Sequence, residues 1–220
     1  GIEFCFDNIE KVTGQKSVHA TGYCVGGSLL SACLAYHARK KLKTIKSATL
    51  FATQVDFTNA GDLRVFADRE QIASIEKQMS ENGYLDSSKM AMAFNMLRAA
   101  DLIWPYVVNN YLKGQEPMPF DLLYWNSDST RMTAANHSFY LRNCYLENNL
   151  SKGEMIIDND KISLNDIKIP VLQIATIDDH IAPPNSVYLG CHFFGGPTEY
   201  ILAGSGHIAG IVNHPDSGKY

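Results

Sequence analysis

Residues 17–38 run for 22 positions without an Asp, Glu, Lys or Arg. A stretch of that length is long enough to cross a bilayer. It also contains His19, His37 and three glycines, and its character changes halfway. A short strand-like start (SVHATGY) gives way to Cys24-Val25-Gly26-Gly27 and then to a helix-like run. A buried strand, a tight turn and a buried helix account for this pattern better than a membrane span. The helix would end in Arg39, Lys40, Lys41 and Lys43, which suits the negative end of its dipole. A second buried strand, KSATLFATQ (residues 46–54), follows. Strand, helix and strand in succession predict an α/β protein with a mostly parallel sheet.

The rest of the chain fits around that unit. Residues 2–13 place Ile2, Phe6, Ile9 and Val12 near helical spacing, and Thr13-Gly14 reads as a helix stop. Residues 66–112 and 132–151 read as helices, and residues 155–167 as a polar hairpin or loop. The sheet rhythm returns with a strand at 169–177, a short helix at 186–193 and a strand at 198–202. This predicts one catalytic-type domain over residues 1–220, with a helical insertion at about 62–130. At 220 residues the chain can bury a core without staples. A formal net charge of −4 speaks against a nucleic-acid-wrapping surface. Five cysteines, with no CxxC pair, speak against a disulfide framework and a tetrathiolate zinc site. A reducing compartment is the simpler setting.

The sharpest chemical signal is Gly22-Tyr23-Cys24-Val25-Gly26-Gly27 at the predicted strand-to-helix junction. It has the G-x-nucleophile-x-G form of a nucleophile elbow, with cysteine as the nucleophile. The turn must be sharp for the side chain to stand clear of the sheet. Residues two before and two after then crowd each other, which favours Gly22 and Gly26. The helix N-terminus favours negative charge on the sulfur, and the Val25 N–H is a candidate oxyanion donor. In such folds an acid and then a histidine follow along the chain. Asp178-Asp179-His180 ends one predicted strand and His207 lies just after the next. Spacing alone leaves both Asp178 and Asp179 open as the acid, and His180 either lines the site or packs beside it.

Other candidates carry less. His19, His37, His137, His192 and His214 show no metal-ligand spacing, so no metal is predicted. Cys5, Cys33, Cys144 and Cys191 lack a glycine-framed turn and read as small buried hydrophobes. Trp104, Tyr106, Tyr111, Phe120, Tyr124 and Trp125 read as helical core or as the lining of an apolar substrate channel.

GYCVGG, DHIAP and GSGHIAG, together with FDLLYWNSDST, YLRNCYLENNL, LIWPYVVNNYLKG and FTNAGDLRVF, resemble the polyhydroxyalkanoate synthases, most like the class I type. The resemblance covers nearly the whole chain. It implies an α/β-hydrolase fold with an inserted helical cap, which would shield the reaction from water. It implies polymerisation of (R)-3-hydroxyacyl-CoA, typically 3-hydroxybutyryl-CoA, into polyester with release of coenzyme A. The coenzyme A thioester is the substrate, and no cofactor is implied. The family's nucleophile falls on Cys24, its acid on Asp179 and its histidine on His207, with His180 beside the acid. A cytoplasmic homodimer at the surface of a polyester granule is the family setting. Two departures stand out. Pro183-Pro184 occupies a place where members often carry Trp, and the family's N-terminal domain and first strands do not precede Gly1. The expectation is therefore a catalytic-domain fragment that is inactive alone and lacks its second oxyanion donor. The competing readings are a cysteine α/β-hydrolase acting on small esters or lactones and an inactive granule-binding module.

Overall fold

The computed structural model describes residues 1–97, 99–117, 130–212 and 214. Helix α1 (Ile2–Thr13) ends on Gly14, whose φ of 71° closes the helix in the left-handed region. Strand β1 (Val18–Tyr23) leads through Cys24 into helix α2 (Val25–Lys40), and β2 (Ile45–Phe51) follows. After β3 (Ile156–Ile157) and β4 (Asp160–Lys161), a small antiparallel hairpin, come β5 (Val171–Thr176) and β6 (Thr198–Ala203). Among the described residues the main sheet has the order β1-β2-β5-β6, and each neighbouring pair is parallel.

Burial follows from that order. Strand β2 lies between β1 and β5, and its Ile45, Ala48 and Leu50 are buried. Strand β1 was expected to be buried, but it pairs on one side only among the described residues, and His19 and Thr21 are exposed. Helix α2 buries Leu30, Ala32, Leu34 and Ala35. Its unbroken apolar run therefore reflects burial in a protein core. No helix among the described residues is long and apolar enough to cross a membrane.

The chain forms two compact units, residues 1–68 with 141–220, and residues 69–140. The second holds α3 (Arg69–Asn82), α4 (Ser87–Leu97), two short helical turns, a π-helical turn (Val107–Leu112) and α5 (Ala134–Tyr140). Within it, α3 is joined to α5 by a bond from the Ser138 hydroxyl to the Glu76 carboxylate. Residues 118–129, which carry Phe120, Tyr124 and Trp125 and the end of the expected insertion, lie outside the described residues. Trp104, Tyr106 and Tyr111 are exposed, contrary to a core reading.

Two further expectations change. The helix expected at 132–151 is broken: α5 gives way to a π-helical turn (Leu141–Leu146), and Asn148 adopts φ 56°. The Asn148 side chain accepts from the Phe57 N–H at 3.0 Å and donates to Asp56 at 2.7 Å. A tertiary hydrogen-bond set thus holds the break. Among the cysteines, Cys144 is buried, Cys33 and Cys191 are half-buried, and Cys5 is exposed because α1 buries none of its residues.

Candidate active site

Parallel strands bring their C-terminal ends to one edge of a sheet, and loops there can converge. Cys24 follows β1, Asp179 follows β5 and His207 follows β6. The chain makes the first of these turns at a conformational cost. Cys24 has φ 52° and ψ −123°, a region that costs a non-glycine residue about 1–3 kcal/mol. Surrounding bonds hold it there. The Cys24 N–H donates to the Phe51 carbonyl at 2.9 Å. The Cys24 carbonyl accepts from the Gly27 and Ser28 N–H groups at 3.0 and 3.2 Å, and from the Thr53 hydroxyl at 3.3 Å.

Glycine is needed here for a reason that differs in part from the expected one. A Cβ on Gly22 would stand 2.5 Å from the Gly27 Cα, and one on Gly27 would stand 1.9 Å from the Thr53 hydroxyl oxygen. Gly26 faces open space. The close approach therefore joins Gly22 to Gly27 and, at 3.0 Å, to the Gly26 carbonyl oxygen, and Gly27 to Thr53, so the expected crowding holds on the Gly22 side and not for a side chain on Gly26. Val25 is the first residue of α2, so its N–H belongs to the set without a carbonyl partner inside the helix.

Of the two adjacent acids, Asp179 is buried and Asp178 exposed. One Asp179 oxygen accepts from the Ile181 and Ala182 N–H groups at 2.9 and 2.8 Å. The other lies 2.7 Å from His207 Nδ1. That contact leaves Nε2 as the nitrogen available to the sulfur. Burial works against charge on His207, but hydrogen bonds to Asp179 and Cys24 and the negative charges of both raise its pKa to about 9. His180 is half-buried, and its backbone carbonyl accepts from the Asp62 N–H at 3.1 Å.

This electrostatics carries a prediction. The folded-state pKa of His207 lies above its ordinary 6.5. Its contribution to stability is therefore complete below about 6.5 and lost as pH rises through about 9. Asp179→Asn removes the partner's charge. Thermal melts are expected to show wild type ahead of the variant at neutral pH, with the gap shrinking across that window. A gap that widens with pH would contradict the assignment.

Sequence reading missed three neighbours. Tyr23, inside the elbow motif itself, donates its hydroxyl proton to the His207 backbone carbonyl. Thr53 packs against Gly27, as above. Gln54 donates to the Ile181 carbonyl at 2.6 Å and accepts from the Ser186 hydroxyl at 3.1 Å, bracing the Asp179 loop. Thr53 and Gln54, expected inside the strand at 46–54, lie just beyond β2, which ends at Phe51.

Glu3, Cys33 and His37 place donor atoms within 4.8 Å of one another, and Cys33 and His37 share a helical i, i+4 spacing. His37 Nε2 lies 2.5 Å from Glu3, a hydrogen bond closer than two ligands of one ion sit. Burial, with the nearby Glu3, raises the Cys33 thiol to about 11, which keeps it protonated. A depression of about 360 Å³, lined in part by Leu34, Ala38, Ile45 and Ile167, lies at the start of β2, away from Cys24.

A family model for the alpha/beta hydrolase fold matches residues 4–214. The chain belongs to the alpha/beta hydrolase fold family. It is 66% identical, over 220 residues, to the poly(3-hydroxyalkanoate) polymerase subunit PhaC of Rhizobium etli, covering 100% of this chain and 35% of the relative. It is 60% identical over 215 residues to the poly(3-hydroxyalkanoate) polymerase of Methylorubrum extorquens, covering 98% of this chain and 36% of the relative. The chain thus spans about a third of the length of these relatives. A hydrolase crystal structure from Pseudomonas aeruginosa PA01 aligns with a TM-score of 0.55 at 18% identity, covering 94% of this chain and 63% of that one. At that identity it speaks for the fold alone.

Proposed function

We propose that this chain carries the catalytic centre of a poly(3-hydroxyalkanoate) polymerase, an acyltransferase that joins (R)-3-hydroxyacyl units delivered as coenzyme A thioesters. The observation that carries this reading is the similarity, at 60–66% identity over 98–100% of the chain, to relatives bearing that name. The arrangement of Cys24, His207 and Asp179 supports it. 3-Hydroxybutyryl-CoA is the proposed substrate, and a homodimer at a cytoplasmic polyester granule the proposed setting.

In the proposed reaction, the Cys24 proton rests on the His207 imidazole, whose raised pKa favours that state, while Asp179 holds Nδ1. The thiolate attacks the thioester carbonyl, and the Val25 N–H donates to the resulting oxyanion. As the tetrahedral intermediate collapses, the carbon–sulfur bond to coenzyme A breaks. The departing thiolate takes the proton from His207, and the acyl group stays on Cys24. The 3-hydroxyl of another hydroxyacyl unit then attacks this new thioester, passing its proton to His207. An ester bond forms, and the Cys24 sulfur regains a proton. A cysteine suits this sequence because exchange between two thioesters is nearly isoenergetic, whereas transfer to an alcohol gives the more stable ester.

Brief exposure of the full-length protein to 3-hydroxybutyryl-CoA, followed by proteolysis and mass spectrometry, tests this. The expected result is hydroxyacyl mass on the peptide containing Cys24, with polymer as the final product. Free hydroxy acid as the sole product would favour an ester or lactone hydrolase, and acyl mass on another residue would move the nucleophile.

A further inference from the structure

We propose that Tyr23 is a positioning residue for His207, holding the imidazole over the Cys24 sulfur while the proton moves between them. This rests on the reading above that Cys24 and His207 carry the chemistry.

The difficulty Tyr23 addresses is visible in the fold. Cys24 is fixed by a strand and a helix, whereas His207 stands in a loop beyond β6, 183 positions later in the chain. Asp179 holds the ring at Nδ1 alone. Apart from the bond to Cys24 itself, which the reaction breaks and remakes, a ring held only at Nδ1 can still swing about that hydrogen bond. Tyr23 supplies two further contacts. Its hydroxyl donates to the backbone carbonyl of His207. Its ring meets the imidazole edge-on, with centroids 5.6 Å apart and planes at 66°, the geometry that aromatic pairs prefer. Because Tyr23 is the residue immediately before Cys24, both contacts tie the His207 loop to the strand that carries the nucleophile.

The same bond limits what else Tyr23 does. Its hydroxyl proton is already directed at the His207 carbonyl, so in this arrangement it is not available to an oxyanion. Burial, with the negative charges of Cys24 and Asp179 adding to it, raises the phenol to about 12. The group therefore stays a donor throughout the range in which His207 titrates.

The test separates hydroxyl from ring and position from binding. In the full-length protein, Tyr23→Phe removes the donor and keeps the ring, and Tyr23→Leu removes both. Circular dichroism checks that each variant folds. Coenzyme A release is measured as kcat and KM, and Cys24 alkylation by iodoacetamide gives a readout independent of substrate. A misplaced base slows chemistry more than binding. Tyr23→Phe is expected to lower kcat about tenfold, leave KM within about twofold and slow alkylation, with a larger loss for Tyr23→Leu if it folds. Wild-type kcat and alkylation rate in Tyr23→Phe would overturn the proposal even if Tyr23→Leu fails to fold. So would a loss confined to KM, which would assign Tyr23 to substrate binding. A Cys24→Ala protein that still makes polymer would instead remove the functional reading on which this rests.

Discussion

Cys24→Ala in the full-length protein is expected to lower coenzyme A release by at least about 10⁴-fold, while the protein still folds. The two halves of this result have separate causes. The chemical loss follows because, among the described residues, Cys24 is the thiol that acts on His207: Cys5 stands exposed on α1, Cys144 is buried away with its thiol raised to about 12, and Cys33 and Cys191 are each raised to about 11. The fold survives because the elbow is held by backbone. The Cys24 N–H to Phe51 bond and the Gly27 and Ser28 bonds to the Cys24 carbonyl do not use the side chain. Alanine bears the positive φ at a cost similar to that of cysteine, so the melting midpoint should move by only a few degrees. Cys24→Ser should also fold and should lose most of the rate, because an alkoxide is harder to generate near neutral pH than a thiolate. Polymer formed at near wild-type rate by Cys24→Ala would take the nucleophile out of the proposed reaction.

How much of this was legible in the residues varies with the range of the forces involved. The elbow was legible because one short motif must satisfy a strand end, a sharp turn and a helix start together. Strands β2 and β5 and helix α2 were legible because their apolar runs report burial directly, whereas β1 and β6, at the two ends of the described sheet, carry apolar runs that are only partly buried. Contacts that close only in three dimensions were hidden. Asn148 breaks a helical pattern because Asp56 and Phe57 wait for its side chain, and nothing in local periodicity announces them. Tyr23 sits in the motif as an unspecified position, yet it reaches a carbonyl that lies 184 positions away. Spacing alone could not choose between Asp178 and Asp179. In the fold, Asp179 is the one enclosed beside His207, with two backbone N–H groups on its other oxygen.

The glycines of the elbow provide the sharpest structural test, because three nearby positions should respond in three different ways. Gly26→Ala adds a methyl group into open space near the start of α2, and alanine is the better helix former. It is expected to stabilise the protein by about 0.5–1 kcal/mol. Gly27→Ala drives its methyl to 1.9 Å from the Thr53 hydroxyl oxygen and 2.6 Å from the Thr53 methyl carbon. It is expected to cost about 3 kcal/mol and to disturb Cys24, whose carbonyl bonds to both Gly27 and Thr53. Thr53→Ala removes both of those clashing atoms and leaves only the Thr53 Cβ, 2.8 Å away. The double variant should therefore recover part of the loss, with a coupling above about 1 kcal/mol in denaturant melts. Gly22→Ala has no such remedy. Its methyl would lie 2.5 Å from the Gly27 Cα and 2.9 Å from the Gly27 nitrogen, and backbone cannot be trimmed. It should destabilise whether or not Thr53 is shortened. If Gly26→Ala proved as damaging as Gly27→Ala, or if the Gly27 and Thr53 changes simply added, the close packing of α2 against the end of β2 would not be what holds the sulfur in its turn.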